Sequence, residues 1–305
     1  MPQVTVKHWI MLALLAMIWG ASFMVMSIAL RGVGPLVLAA TRITLGALLL
    51  LAMMAAMGRR LPRWRGENGP SIWAFALAMA LFSNAVPFFL LGWGQQVVAS
   101  GFAGVSMSVV PLLVLPLAHV LVPGERMTLR RLTGFIMGTC GVAVLIGPAA
   151  FAETGADLEL LARLACVAAA GCYAVGSICT RLSPEVDRLA LSATVLLLAS
   201  LILVPVAFAV EGWPATLDRT SLLALLYLGI LPTGVAQVVL VVLNREAGPV
   251  FFSLVNYQVP IWSVIFGAVF LLEPLPPSLL LGLALILGGV ALSQLGRLKR
   301  LFRRL

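Results

Sequence analysis

Charged side chains are scarce in this chain of 305 residues, because Asp, Glu, Lys and Arg make up 10% of it while hydrophobic residues make up 62%. A water-soluble domain carries about 25% charged residues, since its surface has to stay solvated. The shortage therefore excludes a soluble enzyme and a disordered chain. It indicates a protein whose main solvent is the lipid bilayer.

Cysteine and acidic residues are also few. The four cysteines are scattered through predicted membrane spans, a distribution that favours neither a disulfide framework nor a metal site. All 11 Asp and Glu residues fall in predicted loops or at helix ends, so no carboxylate is placed where it would relay protons or bind sodium. We expect no metal, no cofactor and no coupling to a proton or sodium gradient through a membrane carboxylate.

Long apolar runs are what the sequence has in quantity. A helix that spans a bilayer needs about 20 mostly apolar residues, and the runs are continuous rather than alternating as in a transmembrane β-barrel. The predicted fold class is all-α, a polytopic membrane protein of ten transmembrane helices. The ten runs lie near residues 9–29, 35–57, 70–93, 100–122, 129–147, 159–180, 188–209, 219–243, 249–272 and 276–295.

The net charge of +9 is distributed in a way that favours a membrane topology over nucleic-acid binding. When the amino terminus is assigned to the cytoplasm, sixteen of the 20 Lys and Arg residues fall on that side and three on the other. Short cytoplasmic loops carry such an excess in membrane proteins. Both termini are thus predicted to be cytoplasmic, in a bacterial inner membrane, with the basic tail from Arg297 near anionic lipid headgroups.

An internal repeat divides the chain into predicted halves of five helices, residues 1–148 and 149–305. A proline, a loop glutamate and two glycines recur in order with closely similar spacing. They are Pro111, Glu125, Gly134 and Gly141 in the first half, and Pro260, Glu273, Gly282 and Gly289 in the second, with Pro87 and Pro232 as a further pair. Because each half has an odd number of helices, the second enters the membrane inverted. Inverted repeats are typical of secondary transporters, although two copies packed for stability alone are the alternative.

A family resemblance rests on these motifs. The stretch Trp19–Phe23, the proline-to-glutamate spacing and the glycines after each glutamate resemble the drug/metabolite transporter superfamily, and the halves resemble EamA-type repeats. Overall length and aromatic-rich spans are most similar to YddG-type exporters of aromatic amino acids. The resemblance implies alternating access through a central cavity. The sixth helix departs from the first, because Cys172 or Tyr173 stands where the first has Trp19.

Polar groups within predicted spans are the candidates for a substrate site, since they are costly in lipid unless paired or wet. They are Asn84, Gln237 and the cluster Asn256, Tyr257 and Gln258, all near prolines. Proline frees a carbonyl one turn earlier, so these groups can line a cavity. Hydrogen bonding between helices is the structural alternative.

One face of the first helix carries Trp19, Ser22, Phe23 and Met26, at spacings of three and four residues. Trp19 lies too deep for the interfacial aromatic belt, so it either packs in the bundle or forms a wall for an aromatic or cationic solute. Met26, together with Met107, would give such a pocket compliance, although methionine also serves as core filler.

Arg42 is the one charged residue predicted to lie inside a span. Its stem can snorkel to the interface, its guanidinium can bind helix carbonyls, or it can meet a substrate carboxylate. We expect pairing with carbonyls more than contact with substrate.

The sequence as a whole predicts a secondary transporter, a gradient-driven facilitator or exporter of small metabolites, aromatic and other neutral amino acids first. The prolines Pro87, Pro111, Pro232 and Pro260 are its predicted gating positions. Another metabolite or a drug-like cation is the alternative substrate. An intramembrane enzyme is disfavoured because no acid, base, nucleophile or metal group converges in the membrane. We expect a monomer, in which Gly134 and Gly138 allow close helix packing within the chain.

Overall fold

A computed structural model describes residues 4–147 and 157–302, and within these ranges all regular structure is helical. The predicted boundary at 148–149 and the basic residues Arg303 and Arg304 lie outside them. In the first half the α-helices are α1 (Val6–Ala29), α2 (Pro35–Ala56), α3 (Gly69–Ala80), α4 (Val86–Gly94), α5 (Ser100–Met107), α6 (Val110–Leu121) and α7 (Leu129–Ile146). In the second they are α8 (Asp157–Leu182), α9 (Arg188–Val210), α10 (Arg219–Leu228), α11 (Ala236–Glu246), α12 (Pro249–Phe252), α13 (Val255–Phe270) and α14 (Pro277–Phe302).

Nine helical segments of the described chain are long and apolar enough to cross a membrane. They coincide with nine of the ten predicted runs. The remaining run, 249–272, is divided into α12 and α13, and α13 alone is shorter than a full span. The all-helical membrane fold is confirmed, whereas the described residues contain no tenth helix that is long enough by itself to span a membrane.

A π-helical turn interrupts the third span of each half, at Leu81–Ala85 between α3 and α4 and at Gly229–Val235 between α10 and α11. Pro232 explains the second. It has no N–H to donate to the carbonyl of Leu228 four residues earlier, so a regular ladder cannot continue there. The hydroxyl of Thr233 donates to that carbonyl instead, at 2.8 Å. The first turn ends at Ala85, and its proline lies beyond it, because Pro87 is the second residue of α4.

The contacts between the two halves are symmetric: a helix of the first half packs against the second half as its counterpart in the second half packs against the first. The helices α2 and α9 pack together, as do α7 and α14. The contact of α1 with α13 is matched by that of α8 with α5 and α6. The contact of α1 with α10 and α11 is matched by that of α8 with α3 and α4. Each half therefore supplies equivalent surfaces to the other.

The repeated glycines hold α7 and α14 together. A Cβ on Gly134 would lie 2.5 Å from the carbonyl oxygen of Gly289, and a Cβ on Gly289 would lie 2.5 Å from that of Gly134. Side chains at either position would force the helices apart. The shared glycine spacing is thus used for close packing within the chain.

One end of the bundle is closed by two glutamates of the second half that cap helices of the first. Glu211 accepts hydrogen bonds from the backbone N–H groups of Leu36 (3.0 Å) and Val37 (2.9 Å) at the start of α2. Glu273 accepts from the N–H of Ser100 (2.8 Å), its hydroxyl (2.9 Å) and the N–H of Gly101 (3.0 Å) at the start of α5. We call this the capped end. Carboxylates are stabilised at helix N-termini by the free N–H groups and the helix dipole.

The opposite end, called here the ion-pair end, joins the halves by side-chain salt bridges. They are Arg59–Asp187, Arg181–Glu125 and Lys7–Glu246. Hydrogen bonds from Arg181 and Arg131 lower the pKa of Glu125. For Asp187, burial raises the pKa, but the N–H of Ala190 and the guanidinium of Arg59 outweigh it and the pKa is lowered. Such exposed pairs are weaker than the caps at the other end.

Candidate functional site

A cavity of about 550 Å³ lies between the halves and takes its lining from both. Its volume is within the range of pockets for small molecules, roughly 300–1,000 Å³. The aromatic residues of the lining are Trp19, Phe23, Phe88, Tyr173 and Phe252. Its polar residues are Ser22, Arg42, Ser83, Asn84, Ser108, Ser177, Thr180, Ser192, Thr233, Gln237 and Asn256. It is a mostly apolar, aromatic chamber with scattered polar groups.

Most of the residues singled out from the sequence lie on this cavity. The lining includes Trp19, Ser22, Met26, Arg42, Asn84, Met107, Pro232, Gln237, Asn256 and Pro260. Four others are not among the lining residues: Pro87, Pro111, Tyr257 and Gln258. The hydroxyl of Tyr257 is buried and has no hydrogen-bond partner among the described residues. Whether the lining residues bind substrate stays a prediction.

Arg42 is buried in the wall, with 5% of its surface exposed, so its side chain does not snorkel to the interface. Its Nε donates to the hydroxyl of Thr233 (3.0 Å), and its Nη1 lies 3.8 Å from the sulfur of Met26. The guanidinium carbon is 3.9 Å from the ring centre of Phe88, a cation–π contact. No described carboxylate or backbone carbonyl pairs with it, contrary to the expected carbonyl contact.

The second π turn positions both Arg42 and Trp19. Because Thr233 donates to the carbonyl of Leu228, its oxygen lone pairs are free to accept from Arg42. The indole N–H of Trp19 donates to the carbonyl of Pro232 at 3.0 Å. Pro232 and the residue after it thus hold two cavity side chains that come from α1 and α2 of the other half. Thr233 was missed from the sequence, although a polar residue directly after a proline in a span was the available signal.

Aromatic rings support the cavity wall on two sides. Phe88 lies between Arg42 and Tyr173, whose ring centre is 6.3 Å from that of Phe88. Trp19 makes an edge contact with Phe252, also at 6.3 Å. These contacts fix the rings as walls rather than loose side chains. Phe88 carries no sequence signal beyond being aromatic, because its contact with Arg42 depends on tertiary register. Tyr173 was noted at the position that corresponds to Trp19, but no spacing in the sequence places it beside Phe88.

Two amide side chains use their nitrogens within the protein. Asn84 Nδ2 donates to the carbonyl of Met79 at 3.3 Å, and Gln237 Nε2 donates to the hydroxyl of Ser192 at 2.9 Å. Both amides belong to the third span of a half, within or just after a π turn. Each side chain forms a hydrogen bond within the protein and also lines the cavity. Cavity lining and structural hydrogen bonding, the two alternatives drawn from the sequence, therefore do not exclude each other.

The cavity is more exposed towards the ion-pair end. Thr180 and Asn256, which line it near that end, are exposed. Towards the capped end the lining stops at Met26 and Leu91, with 1% and 2% of their surface exposed. Beyond them, Ser27 donates to the side-chain oxygen of Gln95 at 2.9 Å, which adds a polar layer before the Glu273 cap.

Comparisons with known proteins agree with this architecture. The EamA-like transporter family matches residues 7–147 and 159–295, one match for each half. An uncharacterized transporter of Archaeoglobus fulgidus is 26% identical over 93% of this chain and 97% of its own length. A "Probable terminal-alkyne amino-acid exporter" of Streptantibioticus cattleyicolor is 27% identical over 92% of this chain and 91% of its own. A solved crystal structure with 23% identity has the same fold, with a TM-score of 0.67, covering 95% of this chain and 98% of that one.

The matches extend over both halves and nearly the full length, which confirms the resemblance drawn from the sequence motifs. They also agree with the prediction that the chain is not an enzyme, since the family and its similar members are named as transporters. The chain is a membrane transporter, and it belongs to the EamA-like transporter family.

Proposed function

We propose that the protein is a secondary transporter of small metabolites that combine a carboxylate with an apolar or aromatic body, amino acids with aromatic or other neutral side chains first. The observation that carries the proposal is Arg42, a buried guanidinium on the cavity wall without a described carboxylate partner. Burying an unpaired charge costs several kcal/mol. A substrate carboxylate would supply the missing counter-charge.

The geometry around Arg42 leaves room for such a contact. Thr233 occupies Nε, Met26 lies beside Nη1 and Phe88 covers one face, whereas Nη2 has no hydrogen-bond partner among the described residues. Arginine binds carboxylates by charge-assisted hydrogen bonds that are roughly twice as strong as neutral ones. The rings of Trp19 and Phe252 then offer an apolar surface for the rest of the molecule.

The same charge argues against the alternative of a drug-like cation. A cationic solute in this cavity would be repelled by Arg42 and would meet no described carboxylate on the lining. Another carboxylate-bearing metabolite fits the cavity as an amino acid does. Support for amino acids comes from the similar protein named as a "Probable terminal-alkyne amino-acid exporter".

We further propose that the transporter has ten membrane segments in two inverted halves and works by alternating access. The exchange-symmetric packing of the halves and the two family matches support this, because inverted repeats give two similar conformations that open to opposite sides. α12 and α13 together form the ninth segment. The described conformation is open towards the ion-pair end, which the excess of basic residues assigns to the cytoplasm.

The experiment is counterflow of labelled L-phenylalanine into liposomes that contain the purified protein. Saturable flux is expected without an imposed pH gradient, because no described Asp or Glu lines the cavity. Arg42→Gln should lower the flux at least tenfold, since a hydrogen bond to a charged group contributes about 1.5–3 kcal/mol. Arg31→Gln, the same change at an exposed helix end, is the matched control and should stay within about twofold of the parent protein.

Normal flux in Arg42→Gln would contradict the assigned role of Arg42, and absence of competable flux for any amino acid would contradict the substrate class. Orientation is tested separately, with single cysteines at Arg65 and Arg31 in a variant without native cysteines. A membrane-impermeant maleimide added outside intact cells should label position 31 and not position 65. Labelling of position 65 would reverse the proposed topology.

A further inference from the structure

We propose that the cavity is matched in charge to a monoanion, so that aromatic or apolar monocarboxylates without an amino group bind at least as tightly as the corresponding amino acids. This inference rests on the proposed function and names its substrate class more narrowly. The net charge of the lining carries it.

Arg42 is the one residue that is ionised at neutral pH among the 28 described residues of the lining. A bound monocarboxylate brings one negative charge and leaves the closed site neutral. A zwitterionic amino acid brings no net charge, so the site keeps its +1 and the ammonium lies within a few ångströms of a like charge. In a medium of low dielectric, both the desolvation of the ammonium and that repulsion favour the monoanion.

The acceptors left for an ammonium are neutral, and several are already used. The carbonyl of Pro232 accepts from Trp19, and the carbonyl of Trp19 accepts from Ser22 at 2.7 Å. The amide oxygens of Asn84 and Gln237 are still available, because those two side chains bond through their nitrogens. Neutral oxygens can hold a hydroxyl or an amine, yet they do not cancel a positive charge.

Four described carboxylates at the two ends of the bundle are engaged elsewhere. Glu273 and Glu211 are bound to the starts of α5 and α2, and Glu125 and Asp187 are held by arginines. None of them lines the cavity. An ammonium group therefore meets no anionic partner at the position where Arg42 holds the carboxylate.

The test is competition against labelled L-phenylalanine in the counterflow assay, with four unlabelled compounds that each carry a phenyl ring on a short carbon chain. They are L-phenylalanine, 3-phenylpropanoate, which lacks the ammonium, and L-phenylalaninamide and 2-phenylethylamine, which lack the carboxylate. We expect 3-phenylpropanoate to inhibit half-maximally at or below the concentration needed for L-phenylalanine. The amide and the amine should need at least tenfold more. If phenylalanine competes and 3-phenylpropanoate is tenfold weaker, the proposal is wrong.

A second measurement separates this proposal from the proposed function. The thermal unfolding midpoint of the purified protein is recorded in detergent with each compound. One outcome is that 3-phenylpropanoate raises the unfolding midpoint, whereas phenylalanine neither raises it nor is transported. That result would support the monoanion site and reject amino acids as substrates. If neither compound raises the unfolding midpoint, both the monoanion site and the proposed substrate class are rejected.

Variants of Arg42 test the charge itself. In Arg42→Gln the preference for the carboxylates over L-phenylalaninamide should disappear, whereas Arg42→Lys should retain it. An unchanged preference in Arg42→Gln would overturn the role of this charge.

Discussion

The hydroxyl of Thr233 joins the π turn to the cavity, because it donates to the carbonyl of Leu228 and accepts from Nε of Arg42. A carbonyl freed by Pro232 thereby orients a hydroxyl, and the hydroxyl orients a guanidinium from α2. Positioning of this kind determines which edge of the arginine faces the solute.

Thr233→Val keeps the shape of the side chain and removes the hydroxyl. We expect the KM for L-phenylalanine to rise about tenfold, since one hydrogen bond to a charged group is lost. Thr233→Ser should restore most of the affinity. Counterflow at varied substrate concentration measures both, and an equal KM in the valine and serine variants would show that the hydroxyl does not position Arg42.

Glu273 is expected to keep the capped end closed. In Glu273→Gln the charge on the α5 cap is lost, and alkylation of a cysteine at Ser27 by a hydrophilic maleimide should be about tenfold faster, which corresponds to roughly 1.4 kcal/mol. The variant without native cysteines is the background. Glu159→Gln is the matched control, because Glu159 bonds to Arg163 within the same helix. Equal alkylation rates in the two variants would argue against Glu273 as a closing contact.

Gly134→Ala should destabilise the α7–α14 pair, because the new Cβ would meet the carbonyl oxygen of Gly289. Overpacking of this kind costs about 1–3 kcal/mol. Gly171→Ala, within α8, has open space at its Cβ and should be neutral or slightly stabilising. Thermal unfolding in one detergent compares the two. A midpoint for Gly134→Ala at or above that of Gly171→Ala would contradict the close packing.

Glu125 makes the stability of the ion-pair end depend on pH. Hydrogen bonds from Arg181 and Arg131 lower the pKa of its carboxyl in the folded protein. Its contribution is therefore complete above the unfolded-state pKa, and it is lost as the pH falls through the folded-state value. The fall in the unfolding midpoint between neutral and acidic pH should be smaller in Glu125→Gln than in the parent protein. In free energy of unfolding, the difference between the two proteins should stay below about 1 kcal/mol, because the ion pair is partly exposed. A larger fall of the midpoint in Glu125→Gln than in the parent protein would reverse the assigned sign.

Trp19→Phe tests the wall of the cavity. It removes the hydrogen bond to Pro232 while keeping an aromatic surface, and we expect severalfold lower counterflow with an unchanged unfolding midpoint. Trp9→Phe, in the same helix but outside the cavity lining, is the control. Equal flux in both variants would remove Trp19 from the site.

The membrane spans could be predicted from the sequence because bilayer thickness sets their length. The second predicted run, 35–57, corresponds to α2 at Pro35–Ala56. The division of the run 249–272 was missed, since the run is predominantly apolar throughout and composition does not mark the turn between α12 and α13. The π turns were missed for a similar reason: proline predicts a disturbed ladder but does not say whether the chain bends, breaks or gains a residue.

The polar cluster at 256–258 shows how far a helical pattern can be taken. Consecutive residues of an α-helix point about 100° apart, so three in a row cannot all face one cavity. The lining includes Asn256 and excludes Tyr257 and Gln258. The partners of Arg42 were beyond prediction, because Phe88 and Thr233 come to it from distant segments and no spacing in the sequence encodes that meeting.

The two π turns each hold one residue more than the α-helix that they interrupt. The widened turn absorbs that residue locally, so the helix beyond it keeps its phase and Gln237 and Leu240 face the cavity. A single deletion within Gly229–Val235 would let a regular α turn form, and it would act on the bond from Thr233 to the carbonyl of Leu228 more than on the facing of those two side chains. Among relatives, a gap of one codon in the third or eighth membrane segment would then mark a change in how Arg42 is held.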